Sequence, residues 1–195
     1  MSMVALVIPG AGYSPARPLL HYARAVLRSH DWTVRELWWQ PPDDLAELAP
    51  ADRAAWVREE VVTAVAAEGG DCGLLVGKSL GSLAADLAAD RGLPAVWLTP
   101  LLAAEHVVRA VARSTAPTLL VGGTGDGLWD AENARALASR PPVESLELPG
   151  ADHALELEGD PVRSVAVLQQ VVARLDRFVG SLTRRRQGPG GSRQS

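Results

Sequence analysis

The sequence predicts one α/β domain, a three-layer sandwich in which about six mostly parallel strands form a sheet with helices on both faces. Three observations lead to this prediction. Short apolar runs alternate along the chain with longer segments whose apolar residues recur at helical spacing. Proline and glycine clusters mark the boundaries between them. The length of 195 residues suits a single domain with a full hydrophobic core.

The elements follow one another in strict alternation. The expected strands are short and apolar or β-branched, and they cover residues 4–8, 32–39, 73–77, 94–98, 118–121 and 143–148. The expected helices cover residues 16–29, 52–68, 79–90, 104–113, 130–139 and 161–182. Asp130 is a candidate N-cap and Pro161 suits the first position of the last helix. Such alternation indicates parallel β-α-β units.

The ends of the chain and its charge exclude several classes of function. Residues 1–182 are assigned to the domain, and the polar, glycine-rich residues 183–195 are expected to be a disordered tail. The net charge is −4, and residues 1–183 alone carry −8, which disfavours a nucleic-acid partner. No apolar run approaches the ~20 residues that span a bilayer, so no membrane span is expected. The N-terminus has no basic segment typical of a signal peptide, so a cytoplasmic location is expected.

Cysteine and histidine usage predicts neither a disulfide nor a metal site. Cys72 is the only cysteine, so no internal disulfide can form, and the thiol is expected to be buried. The four histidines are scattered without ligand spacing. We therefore expect no metal and no cofactor.

The pentapeptide GKSLG at residues 77–81 carries the main functional signal. A phosphate-binding loop would need a glycine at position 72, where Cys72 stands, and residues 74–76 are an apolar strand rather than a loop. A nucleophile elbow fits better, because glycines two residues before and after Ser79 relieve crowding where a strand turns directly into a helix. We therefore expect Ser79 to be a nucleophile.

A serine nucleophile needs a base and an orienting carboxylate, which in this kind of sheet follow in the order acid, then histidine. Asp126 follows the fifth strand and His153 follows the sixth, both at carboxyl ends where open α/β sheets place their sites. Asp130 competes for the acid role but is assigned to capping. Asp152 competes too, but its side chain is expected to point elsewhere.

The oxyanion of a tetrahedral intermediate needs N–H donors. One is expected from the backbone of Leu80, directly after the serine, and the other from the loop after the first strand. In that loop Ala11 is the first candidate and Gly12 the second. The expected alternative is an ordinary strand–helix turn.

The substrate site is expected to be open, because about 18 residues separate the fourth and fifth strands and leave no room for a cap domain. Candidate substrate contacts follow strand ends, although the leucines and the tryptophan would also fit the core: Tyr13, Leu101, Leu102, Leu128 and Trp129. Lys78 is expected to be solvated or salt-bridged, with an anionic substrate as the alternative. Trp38 and Trp39 are expected to pack at a strand end.

On these motifs the chain resembles the α/β-hydrolase superfamily over residues 3–182, and most resembles its small, lidless branch that includes the dienelactone hydrolases and related hydrolase-like proteins. The resemblance implies a compact fold without a cap, with Ser79 as nucleophile, Asp126 as acid and His153 as base. Two departures stand out. Pro9 replaces the histidine that commonly precedes the glycine of the oxyanion turn, and Ser79 stands where dienelactone hydrolases carry cysteine.

We therefore expect a serine hydrolase that cleaves small carboxylic esters or thioesters through an acyl-enzyme. Its partner would be a small-molecule substrate. Two alternatives remain open at this point. The departure at Pro9 favours a catalytically silent binding or scaffolding protein of the same fold, and an acyltransferase would use the same residues with an acceptor alcohol other than water.

Overall fold

The computed structural model describes residues 3–69 and 72–187. Its six strands form one sheet in the order β2-β1-β3-β4-β5-β6, and every neighbouring pair is parallel. The strands are β1 (Met3–Ile8), β2 (Trp32–Glu36), β3 (Cys72–Lys78), β4 (Ala95–Leu98), β5 (Thr118–Gly123) and β6 (Val143–Leu148). The α-helices are α1 (Pro18–Ser29), α2 (Pro50–Ala67), α3 (Ala85–Arg91), α4 (Glu105–Ala112), α5 (Ala131–Ala138) and α6 (Pro161–Gln187).

Apolar residues cover both faces of the sheet, because alternate side chains of each buried strand point to opposite sides. On one side Val76 and Leu119 pack against α1 and α6. On the other side Leu75, Trp97 and Leu120 pack against α2, α3, α4 and α5. The predicted three-layer α/β sandwich is confirmed, and the sheet is parallel throughout.

Several boundaries differ from the expected ones. Strand β2 ends at Glu36, so Trp38 and Trp39 lie in the loop beyond it. The segment after the third strand is a 3-10 helix (Ser79–Ala84) that continues into α3, rather than one α-helix. Helix α6 runs to Gln187, so residues 183–187, which were expected to be disordered, are helical. The rest of the expected tail, residues 188–195, lies outside the described residues.

Two local predictions, the N-cap at Asp130 and the buried thiol of Cys72, are confirmed. The Asp130 side chain accepts the backbone N–H of Asn133 at 2.8 Å, as an N-cap does. Cys72 is a buried free thiol, and burial raises its pKa. None of the helices in the described part of the chain combines the length and apolar character that crossing a bilayer requires.

The parallel sheet decides where functional side chains can meet. All six strands end at the same edge, so the loops after β1, β3, β5 and β6 lie along one rim. Strands β1 and β3 are neighbours at the centre of the sheet, and β5 and β6 are neighbours toward one side. Loops from distant parts of the chain therefore face one another across this rim.

Candidate active site

Ser79 lies at a sharp turn directly after β3, with a φ of +52°, a region that L residues other than glycine seldom adopt. Glycine is required on both sides of it. A Cβ on Gly77 would lie 2.6 Å from the ring of Trp97, and a Cβ on Gly81 would lie 3.1 Å from the carbonyl oxygens of Ile8 and Pro9. The close approach of strand and helix thus projects the Ser79 side chain from the rim.

Ser79, His153 and Asp126 form a continuous hydrogen-bonded chain. The Nε2 of His153 lies 2.7 Å from Ser79 Oγ, and its Nδ1 lies 2.7 Å from Asp126 Oδ2. The His153 side chain is 35% exposed, whereas that of Asp126 is 1% exposed. The buried carboxylate can orient the ring and stabilise a positive charge on it, while the exposed ring edge faces solvent. This arrangement can move a proton from the serine hydroxyl to the imidazole.

Asp126 is held in place by its own loop. Its Oδ1 accepts the backbone N–H of Leu128 at 2.9 Å, and its backbone N–H donates to Gly123 at 3.1 Å. Both carboxylate oxygens are therefore hydrogen-bonded, Oδ1 to the backbone N–H of Leu128 and Oδ2 to the imidazole of His153. A carboxylate fixed in this way cannot rotate away from the ring.

The loops that carry the acid and the histidine are locked together. Gly125 donates its N–H to the carbonyl of Ala151 at 2.9 Å, and Gly150 donates to the Thr124 hydroxyl at 2.7 Å. In the loop after β6 that carries His153, called here the histidine loop, Asp152 Oδ1 accepts the backbone N–H groups of Ala154 and Glu156. Asp152 thus shapes the loop around His153 and is not hydrogen-bonded to the imidazole.

Ser79 and His153 line an open cavity of about 420 Å³. Its other lining residues come from the loop after β1, the end of β3 and the histidine loop: Gly10, Ala11, Gly12, Tyr13, Lys78, Asp152 and Ala154. Ala11 and Gly12 are exposed there. Leu80 is the second residue of the 3-10 helix, so its N–H lacks an intrahelical acceptor. Ala11 and Gly12 therefore border the cavity beside Ser79, whereas Leu80 is buried and is not among the lining residues.

Two aromatic side chains support the loop after β1. The indole N–H of Trp39 donates to the Gly10 carbonyl at 3.2 Å, and Trp39 packs on Trp56 with ring centroids 5.1 Å apart. The hydroxyl of Tyr13 accepts the backbone N–H of Leu19 at 3.0 Å, which fixes the ring at the cavity wall. Burial raises the pKa of Tyr13. Trp39 was expected only to pack at a strand end, and the sequence carries no signal for its bond to Gly10.

This chain is similar to known proteins in its structure. No family model matches the chain, and no curated protein matches its sequence. Solved structures do. An α/β serine hydrolase homologue from Coxiella burnetii superposes with a TM-score of 0.67 at 17% identity, covering 91% of this chain and 85% of that one. The chain has the α/β-hydrolase fold.

Two further structures share this α/β-hydrolase fold. Est1E from Butyrivibrio proteoclasticus has a TM-score of 0.68 at 13% identity, with 92% of this chain and 88% of that chain covered. A lidless α/β serine hydrolase from Xanthomonas campestris has a TM-score of 0.61 at 16% identity, covering 96% and 83%. The expected compact form of the fold, without a cap domain, is confirmed.

Four of the five expected substrate contacts do not line the cavity of this α/β-hydrolase fold; only Tyr13 does. Leu102 is fully buried in the core, and Leu101 packs against the same core. Trp129 is 7% exposed because its ring covers Gly122 and its indole N–H bonds Glu147 at 2.9 Å. Leu128 is exposed and is not among the residues that line the cavity. These side chains follow the correct strand ends, but three of them pack in or against the core.

Lys78 also departs from expectation. It is 3% exposed and not salt-bridged to any described residue, and its Nζ lies 4.9 Å from the Tyr13 ring centroid. Burial lowers the pKa of Lys78 to about 8, and attraction from Asp126 and Asp152 offsets part of that effect. The lysine therefore contributes an ammonium group to the cavity floor.

A larger cavity of about 650 Å³ adjoins the first and shares Asp152 and Ala154 with it. Apolar side chains such as Leu19 and Leu168 line part of it.

Within residues 3–69 and 72–187, no group of three or more His, Cys, Asp or Glu side chains is arranged to hold a metal ion.

Proposed function

We propose that this protein is a serine hydrolase that cleaves small carboxylic esters or thioesters through an acyl-enzyme intermediate. The observation that carries the proposal is the unbroken chain of 2.7 Å hydrogen bonds from Ser79 Oγ through the His153 ring to Asp126. Serine oxygen, imidazole and buried carboxylate in this order are the groups that activate a hydroxyl at neutral pH.

In the acylation half-reaction, Ser79 Oγ attacks the carbonyl carbon of the substrate and His153 Nε2 takes the hydroxyl proton. Asp126 stabilises the resulting imidazolium through Nδ1. The C–O or C–S bond to the leaving group then breaks, and His153 returns its proton to the departing alcohol or thiol. Water attacks the acyl-enzyme with His153 again as base, and the acid product and free Ser79 are released.

The charge that develops on the carbonyl oxygen requires donors at the cavity edge. We assign these to the backbone N–H groups of Leu80 and Ala11, with Gly12 next to them. Trp39 acts as a positioning residue, because its indole N–H holds the carbonyl of Gly10 at the start of the same loop. Pro9 supplies no donor, so support of this loop by Trp39 replaces part of what a histidine would provide at that position.

The size of the cavity supports small substrates. A volume of about 420 Å³ lies near the lower end of ordinary ligand sites. Tyr13 offers an apolar ring face as one wall. A longer acyl or alcohol group would have to extend past Ala154 into the neighbouring cavity of about 650 Å³.

The decisive experiment combines turnover and covalent labelling. Ser79→Ala should lower kcat/KM for p-nitrophenyl acetate by about 10⁴-fold or more, because the nucleophile is removed. A fluorophosphonate probe should label the wild type on Ser79 alone, as mapped by mass spectrometry of peptides. The control is Ser139→Ala, which removes an exposed serine whose hydroxyl donates to the Ala136 carbonyl. This variant should keep both the ester turnover and the labelling of Ser79.

Activity retained in Ser79→Ala would contradict the acyl-enzyme mechanism. A wild-type protein that neither turns over esters nor reacts with the probe would instead favour the catalytically silent alternative. Adding acceptor alcohols and analysing the products separates hydrolysis from acyl transfer, since hydrolysis yields only the free acid.

A further inference from the structure

Lys78 is the only lysine in the chain. The sequence has 19 basic residues, and the other 18 are arginines. Every surface ion pair of a Lys or Arg side chain in the described residues therefore uses a guanidinium. The two side chains differ physically, because an ammonium is compact and carries three donors in a tetrahedral arrangement, whereas a guanidinium is planar and longer. The single lysine directly precedes Ser79 in the sequence.

The surroundings of Lys78 leave its charge without an ionic partner. The residue is 3% exposed, and its Nζ makes neither a hydrogen bond nor an ion pair with any described residue. Its contact is the Tyr13 ring face, 4.9 Å from Nζ to the centroid. A ring face attracts an ammonium but gives its N–H groups no acceptor atom. A largely buried ammonium without an ionic partner normally destabilises a protein, so a structural role does not account for it.

The nearby carboxylates do not complete the site. Asp126 is already bonded to His153 and to the Leu128 amide. Asp152 uses Oδ1 to accept two backbone N–H groups of its own loop. Both attract Lys78 from a distance without forming an ion pair with it. A further cation, Arg17, lies 5.8 Å from the same Tyr13 ring, and the carboxylate of Glu156 acts on that ring in the opposite direction.

The cavity joins Lys78 to the reacting groups. Lys78, Ser79 and His153 line the same open space, between the loop after β1 and the histidine loop. The approach is tight, since a Cβ on Gly10 would lie 3.3 Å from Lys78 Cδ. A small anion held at Nζ would therefore share this cavity with a carbonyl carbon held at Ser79.

We infer that Lys78 determines specificity by binding a carboxylate of the substrate, so that the preferred substrates are small esters or thioesters carrying one carboxylate near the scissile carbonyl. The inference rests on the proposed hydrolase function. The substrate carboxylate supplies an acceptor for the Lys78 donors, and a hydrogen bond between two charged groups is stronger than one between neutral groups.

Matched esters test the inference. Monomethyl glutarate is paired with methyl 5-methylhexanoate, in which an isopropyl group replaces the carboxylate. Acetoxyacetate is paired with isobutyl acetate in the same way, with the carboxylate on the alcohol side. Hydrolysis at pH 7 is followed by pH-stat titration. The measured quantity is the ratio of kcat/KM for the anionic ester to that for its neutral partner, which cancels any general change in activity.

The wild type should prefer the anionic ester in at least one pair, by about tenfold or more. Lys78→Met should lower that ratio about ten- to hundredfold, because it removes the charge with little change in volume. Lys78→Arg keeps the positive charge. Its ratio of kcat/KM for the anionic ester to that for the neutral ester should therefore stay above the ratio of Lys78→Met. A wild-type ratio at or below one in both pairs overturns the inference, as does a ratio that Lys78→Met leaves unchanged.

A binding experiment separates this inference from the hydrolase proposal. In protein labelled with ¹³C-lysine, Lys78 gives the only lysine side-chain signal, so its pKa can be titrated directly in the Ser79→Ala variant. Monomethyl glutarate should raise that pKa, because pairing with a carboxylate favours the charged amine. Methyl 5-methylhexanoate should not. If no ester is hydrolysed by the wild type, the hydrolase proposal fails, and the anion site stands or falls on this shift alone.

Discussion

Replacing Lys78 by methionine should make the protein more stable at neutral pH. The lysine is 3% exposed and has no ionic partner among the described residues, so folding must move an ammonium out of water. Methionine has nearly the same length and no charge, and it can occupy the same space beside Tyr13. The substitution thus removes a desolvation penalty while it keeps most of the packing.

The magnitude follows from the pKa of Lys78, which burial lowers from an ordinary 10.5 to about 8. Each pKa unit corresponds to 1.36 kcal/mol, so the penalty on the charged form is about 3 kcal/mol. Below pH 8 the lysine is charged in both the folded and unfolded states, and the full penalty applies. Between pH 8 and 10.5 the unfolded chain binds more protons than the folded one, so the wild type gains stability and the penalty disappears.

Urea unfolding at 25 °C from pH 6 to pH 10.5 measures this effect. The free energy of unfolding of Lys78→Met should exceed that of the wild type by up to about 3 kcal/mol at pH 7. This difference corresponds to roughly 6–12 °C in Tm for a domain of this size. The difference should shrink steadily above pH 8. Arg109→Met, at a side chain that is 71% exposed, should change stability by less than about 0.5 kcal/mol. A Lys78→Met protein no more stable than the wild type at pH 7, or a difference independent of pH, would refute the reasoning.

Three further substitutions test the proposed site. Asp126→Asn should lower kcat by about 10³- to 10⁴-fold in an ester assay, because the amide no longer favours the reactive tautomer of His153, whereas Asp130→Asn should keep full activity. Gly81→Ala should destabilise the protein by about 1–3 kcal/mol in urea unfolding, since its Cβ would lie 3.1 Å from the backbone carbonyls of Ile8 and Pro9; unchanged stability would mean that this junction can relax. Trp39→Phe removes the hydrogen bond to Gly10 and should lower kcat about two- to tenfold with a smaller change in KM. Its control, Trp38→Phe, affects a tryptophan that is 60% exposed, and an equal effect of the two would contradict the positioning role of Trp39.

Much of the architecture could be predicted, because strand and helix positions follow from local patterns. The alternation of apolar runs with helical periodicity predicted six strands, and the cap at Asp130 followed from residue type and position. The glycines that flank Ser79 predicted a tight strand-to-helix turn, and the positive φ of Ser79 is its counterpart in the structure. Boundaries were less predictable, as the 3-10 turn after Ser79 shows, because hydrogen bonding at helix ends depends on neighbouring elements.

The side-chain environments could not be predicted in the same way. Leu102 and Trp129 follow strand ends as expected, yet they are buried, since their direction depends on packing against α-helices distant in sequence. Lys78 looked like a surface lysine because nothing local indicates that Tyr13 packs beside its ammonium group. The bond from Trp39 to Gly10 joins residues from two loops and leaves no mark in either segment.

The sequence by itself determined the order of the elements, the parallel sheet and the types of residue at its carboxyl edge, since these depend on periodicity and on turn chemistry along a short stretch of chain. Only the tertiary structure decided which of those side chains meet. It brings Ser79 Oγ and His153 Nε2, which are 74 residues apart in the chain, to a distance of 2.7 Å. It also places Lys78 at the same cavity. The physical reason is that hydrogen bonds and burial act over a few ångströms in space, so they depend on how the loops pack rather than on their separation in sequence.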